Sequence, residues 1–107
     1  MQPLLNLAVS AARRAGDVIV RSLPKLDSLD VSTKGRHDYV SEVDRNAEEQ
    51  IIATIRRLYP DHAFLAEESG ESGRAGDVRW IIDPLDGTTN FLHGFPTFAV
   101  SIACEIR

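Results

Sequence analysis

Cysteine is nearly missing from this chain. Cys104 stands alone, which excludes an internal disulfide framework and a zinc site built on thiolates, and fits a reducing, cytoplasmic setting. Tryptophan occurs once, at Trp80, and the three histidines, His37, His62 and His93, have no carboxylate or cysteine partner at ligand spacing. Structural or solvated roles are expected for all three. The apolar amino-terminal stretch is broken by Arg13 and Arg14 and no basic segment precedes it, so neither a leader peptide nor a membrane span is expected. Positive charge is also in deficit. With 12 Lys and Arg against 16 Asp and Glu, the net charge of −4 offers no broad attraction to nucleic acid or to an anionic membrane.

What remains is an ordinary globular composition, 43% hydrophobic and 26% charged over 107 residues. That length allows one small domain, burying about 60–70% of its unfolded surface. From Leu4 to about Ser22, the residues Leu4, Leu5, Ala8, Ala11, Ala12, Ala15, Val18 and Ile19 recur at helical steps, with Pro3 suited to a first turn and Pro24 closing the pattern. Leu29–Lys34 reads as a weak alternating strand or extended loop, and Lys34 and Asp38 as a surface pair. Ser41-Glu42-Val43-Asp44 has the form of a capping box, after which Val43, Ala47, Ile51, Ile55 and Leu58 predict a second helix running to Tyr59 before Pro60. On this reading Asp44 is a helix-start residue.

The second half of the chain reads as strands. Ala63–Ala66 is a short apolar strand presenting Glu67 and Glu68 at its end, and Ser69–Arg79, with Gly70, Gly73 and Gly76, reads as a mobile loop beside it. Trp80-Ile81-Ile82 predicts a strand packed on both faces that delivers Asp83 to its carboxyl end. Beyond His93-Gly94-Phe95-Pro96, a strand is predicted over Phe98–Ile106, with Cys104 as inert packing on its apolar face.

Asp83-Pro84-Leu85-Asp86-Gly87-Thr88-Thr89-Asn90-Phe91 carries the chemistry. Pro84 pushes Asp83 out of the helical region, so a turn is expected that brings Asp86 back beside Asp83. Two carboxylates about 4 Å apart repel by roughly 4 kcal/mol at an effective dielectric near 20, a cost that a divalent cation reverses. Gly87 admits close backbone approach, and free N–H groups of Gly87 and Thr88 could face an anion. Metal and phosphate would then meet within one turn. The competing reading is an ordinary Asx-type turn, since Asp, Pro and Gly are common turn residues. Dehalogenase-type phosphatases are excluded by spacing, because their aspartates stand at i and i+2 and these stand at i and i+3.

The nine residues from Asp83 to Phe91 resemble the signature of the inositol monophosphatase family of magnesium-dependent, lithium-sensitive phosphatases. Phe64-Leu65-Ala66-Glu67-Glu68-Ser69 resembles its Gly-Glu-Glu segment, with Ala66 at the glycine position, and Asp38-Tyr39-Val40-Ser41-Glu42-Val43-Asp44 resembles its Asp-x-Val-Thr-x-x-Asp segment. The three segments follow the family's order, and their wording is closest to its bacterial SuhB-type branch. The resemblance implies an α/β (α+β) protein, the amino-terminal part of a layered α/β/α/β/α sugar-phosphatase fold, with two helices on a largely antiparallel sheet. Residues 1–107 would then be one portion of a single domain whose carboxyl-terminal part is absent.

For the site, the resemblance implies two or three Mg²⁺ ions. One would be held by Glu67, Asp83 and the carbonyl of Leu85, and another by Asp83 and Asp86. It further implies that Asp44 and Thr88 activate the attacking water, that Glu67 takes part in catalysis, and that Asp86, Gly87 and Thr88 bind substrate. Lys34 matches a family lysine at the edge of the metal site. The implied reaction is hydrolysis of inositol 1-phosphate or a related polyol or sugar phosphate, by a homodimer in the full-length form. Partner binding without catalysis is the alternative, because bacterial members are associated with ribosomal RNA transcription complexes.

Overall fold

The computed structural model describes residues 2–30, 34–67, 70–73, 76–86, 92 and 99–106, the side chains of Gln2 and Asp86 excepted. Two long helices, α1 (Gln2–Asp27) and α2 (Lys34–Leu58), precede four strands, β1 (Ala63–Ala66), β2 (Gly70–Ser72), β3 (Val78–Asp86) and β4 (Ala99–Ile106). The strands form one mixed sheet in the order β2-β1-β3-β4, in which only the β1–β3 pairing is parallel. Both helices pack on one face of it. The expected pair of helices on a largely antiparallel sheet is what the chain builds.

The α1 stripe of Leu7, Ala11, Ala15 and Ile19 is buried, and its alanines let α2 approach closely. Contrary to the expected stop near Ser22, α1 runs on through Pro24 to Asp27. Pro24 withdraws the hydrogen bond that the Val20 carbonyl would have received, but Val20 is exposed, and water can serve that carbonyl. Complete burial of Leu26 then rewards the extra turn. Leu29 and Asp30 follow in a turn closed by Ser28 and Leu29 N–H groups on the Lys25 and Leu26 carbonyls, and Lys34 already belongs to α2. The expected strand over Leu29–Lys34 is therefore absent from its described residues, of which 31–33 are not part.

A second correction concerns the start of α2. It begins at Lys34, seven residues before Ser41, so the capping box lies inside the helix and caps nothing. The buried stripe explains the extension, since Arg36 and Val40 continue Val43, Ala47, Ile51 and Ile55 at the same helical spacing. Lys34 and Asp38 are both exposed and form no ion pair with each other. At the other end, Arg56 and Arg57 sit on the negative pole of the helix.

In the sheet, Phe64, Ala66, Trp80 and Ile82 face the helices and are buried. Trp80 is wholly enclosed, and its indole N–H donates to His62 Nδ1 at 3.1 Å while the His62 ring stacks on Tyr59 at 4.4 Å. This links the end of α2 to β3. The expected burial of β3 on both faces is not found, because alternation turns Ile81 to the helix-free face, where it is 38% exposed. The expected loop over Ser69–Arg79 contains β2, paired antiparallel to β1 from Gly70 to Ser72. Gly70 and Gly73 make the reversal possible through positive φ angles of 68° and 82°. On β4, Val100, Ile102 and Cys104 pack toward the core, matching the predicted alternation.

The expected turn at Pro84 is a bulge. Register runs Asp83 to Ser101 and then Asp86 to Ala99, so β3 uses three steps where β4 uses two. Pro84, which has no N–H to give a ladder, occupies that unpaired stretch.

Two glycines should respond oppositely to alanine. A Cβ at Gly73 would lie 2.8 Å from the His62 carbonyl oxygen in a left-handed backbone, so Gly73→Ala is expected to cost about 1–3 kcal/mol or more in urea unfolding. A Cβ at Gly16 within α1 meets nothing inside 4 Å, so Gly16→Ala is expected to gain about 0.5–1 kcal/mol. Burial pushes the Cys104 thiol up by desolvating its thiolate. The unfolded chain therefore loses the thiol proton first as pH rises. Stability from this group is full below the ordinary thiol range and declines above it, so the urea midpoint of wild type should fall more steeply than that of Cys104→Ala between about pH 8 and 10.

Candidate functional site

The site is assembled by the one parallel pairing in the sheet. Ala66 ends β1 beside Ile82 on β3, so Glu67 leaves the carboxyl end of β1 level with Asp83, which lies within β3 and not at the strand end expected from the sequence, since β3 runs on to Asp86. Neighbouring strands lie about 4.8 Å apart, which brings the backbones at these two positions close although 15 residues separate them in sequence. Glu67 is exposed and Asp83 is half-buried. The Asp83 Oδ1 atom is fully buried and has no hydrogen-bond partner among the described residues. An acceptor in that condition costs about 1–3 kcal/mol, and more when charged, unless a cation or donor occupies the space before it.

The bulge gives backbone positions 83 and 86 the pleat phase of Ser101 and Ala99, which are two apart on β4. On a regular strand i and i+3 would fall on opposite faces. Leu85, between them, is 1% exposed and fixes the strand end in the core, while its backbone continues toward Asp86. Gly87 and Thr88 lie outside the described residues, as does Glu68. Among the described residues, to which the Asp86 side chain does not belong, no group of three His, Cys, Asp or Glu side chains closes on a common point.

Asp44 approaches from the helical layer. Because α2 turns through Tyr59 and His62 into β1, and β1 is parallel to β3, the helix runs against β3. From Tyr59 back to Asp44 is about 22 Å along α2, and from Trp80 to Asp86 is about 20 Å along β3. Asp44 thus belongs to the same end of the sheet as Glu67, Asp83 and Asp86. It is 4% exposed, nearly three turns into the helix rather than at its start, so capping does not account for it. Glu48, one turn further along, is equally buried. Lys34 opens α2 and is exposed.

One participant escaped the sequence reading. Arg36 is 3% exposed on the buried stripe of α2 and bonds backbone carbonyls of Leu26, Leu29 and Leu92. The available signal was a basic residue exactly one helical step before Val40 on an otherwise apolar stripe.

A model of the inositol monophosphatase family matches residues 1–107. The chain is 56% identical to a Nus factor SuhB of Pseudomonas aeruginosa over 110 aligned positions, covering 100% of this chain and 41% of that protein. Among solved structures, the extragenic suppressor protein SuhB of Bartonella henselae superposes with a TM-score of 0.82 at 45% identity, covering 97% of this chain and 39% of that one. An inositol monophosphatase from Anabaena superposes with a TM-score of 0.79 at 39% identity, over 98% of this chain and 36% of that one. The chain therefore spans about 40% of the length of the curated relatives it matches.

Asp83 should carry a stability penalty in the absence of metal. Asp83→Asn removes the charge from its buried oxygen, so the variant is expected to unfold at higher urea than wild type in chelator, by about 1 kcal/mol. A lower midpoint would show that the carboxylate is already compensated.

Proposed function

Because the chain belongs to the inositol monophosphatase family, we propose that it supplies the metal-binding half of a Mg²⁺-dependent phosphomonoesterase, as the amino-terminal portion of one domain. The pairing that brings Glu67 level with Asp83, with a buried Asp83 oxygen that has no partner among the described residues, is the observation that carries this reading. Carboxylate and carbonyl oxygens are hard donors, which fit Mg²⁺ and not zinc or copper. Glu67, Asp83, the Leu85 carbonyl and Asp86 would hold two or three ions. Bound Mg²⁺ supplies neutralisation of the phosphate charge and acidification of water.

The remaining roles belong to the chain itself. Asp44, held rigidly in the helical layer, orients Thr88, and Thr88 places a water for in-line attack on phosphorus with Glu67 beside it. The N–H groups of Gly87 and Thr88, together with Asp86, hold the substrate. The substrate is inositol 1-phosphate or a related polyol or sugar phosphate, as the name of the Anabaena neighbour suggests. A full-length homodimer in the cytoplasm, inhibited by lithium, completes this reading.

A second reading is favoured by the name Nus factor carried by the curated relatives, which places them among transcription proteins. On it, the protein works by binding a transcription-complex partner, with or without turnover. The two readings separate in cells. Carboxylate variants at Asp83 and Asp86 that remain fully functional, alongside failing substitutions on exposed helical surface, would favour partner binding.

Calorimetric titration with Mg²⁺ tests the first reading directly. Binding by the 107-residue chain is expected, weakened at least about tenfold by Asp83→Asn or Asp86→Asn. Phosphate release from inositol 1-phosphate should depend on Mg²⁺ and fall by about 10²-fold or more in the same variants. Absence of both Mg²⁺ binding and phosphate release in wild type would overturn the proposal for this chain.

A further inference from the structure

We propose that Arg36 is a positioning residue that ties the chain leaving the candidate site to the helix pair. Its guanidinium donates through Nε to the Leu92 carbonyl at 2.5 Å and through Nη1 to the Leu26 and Leu29 carbonyls at 2.7 and 2.6 Å. Arginine does not shed its charge in proteins, so a side chain that is 3% exposed must find acceptors around its planar fork. It finds them in two places far apart in sequence. Leu26 presents its carbonyl in the last turn of α1 and Leu29 presents one just beyond it, where the helix dipole favours a cation. Leu92 presents its carbonyl just beyond the Asp86–Phe91 motif.

Asp86 is fixed by its pairing with Ala99 on β4. Leu92 packs against the core and accepts the Arg36 bond, so Arg36 clamps Leu92 to α2, the helix that also carries Asp44. Lysine could not reproduce this arrangement, because a single ammonium lacks the fork that serves acceptors from two directions. The importance of the clamp for phosphate binding rests on the function proposed above, whereas the clamp itself rests on the Arg36 geometry alone.

Arg36→Met tests it, because methionine keeps apolar volume on the α2 stripe while removing every donor. Hydrogen–deuterium exchange of the peptide containing Leu92 is expected to quicken by about tenfold or more, with amides of the β1–β3 pairing unchanged. Arg36→Lys should behave in the same way, and guanidinium ion at millimolar concentration should restore protection to Arg36→Ala. Unchanged exchange at Leu92 in Arg36→Met would overturn the proposal, as would an even rise across the whole core, which would mark a purely structural arginine. Titration of the Mg²⁺-loaded chain with inorganic phosphate is the second readout, with weaker binding expected in Arg36→Met. Should wild type bind no phosphate, the functional reading fails and the exchange data still decide the clamp.

Discussion

The parallel pairing of β1 with β3 is the constraint on which the rest of this structure depends. It is the only parallel contact in the sheet, and its register sets Ala66 beside Ile82 so that Glu67 and Asp83 emerge at the same level. A slip of one residue would turn the buried row of Phe64, Ala66, Trp80 and Ile82 to the helix-free face, which the helices' apolar stripes forbid. The burial of Trp80 is thus the physical guarantee of the carboxylate pair. Its indole N–H is satisfied by His62, so the largest side chain in the core carries no polar penalty.

The helix-free face is of a different character. Ile81 lies open there, and Arg79 reaches Glu71 and Glu105 in ion pairs of 3.4 and 3.1 Å that are partly exposed and add little stability. Stability comes from the helical side, whereas the candidate site lies at the strand ends, where side chains are not spent on packing. This separation lets Asp83 keep a buried oxygen that no described residue partners without endangering the fold.

Membership of the inositol monophosphatase family and the two-helix, four-strand architecture agree, and the relatives extend well beyond the portion this chain covers. α2, the end of β1 and the bulged end of β3 meet at one end of the sheet, and Arg36 of α2 also bonds the Leu92 carbonyl. Buried charge on a helix stripe is costly, and here it is offset by hydrogen bonds to the Leu26, Leu29 and Leu92 carbonyls.

The sequence by itself determined the apolar stripes of both helices, the short β1 strand, the alternation along β4 and which carboxylates are candidate ligands. Each is a local pattern, of period 3.6 or 2 or of consecutive residues, and local patterns are legible without partners. Only tertiary structure decided where α1 and α2 stop and start, because burial of Leu26 outweighed Pro24 and burial of Arg36 and Val40 outweighed the capping box at Ser41. It also decided that β2 forms within an apparent loop and that Pro84 sits in a bulge and not a turn, since both depend on the strand alongside. The nearness of Glu67 to Asp83 belongs to the same class. Strand pairing between distant residues leaves no trace in either segment's own pattern, so register became visible only when the two strands lay side by side.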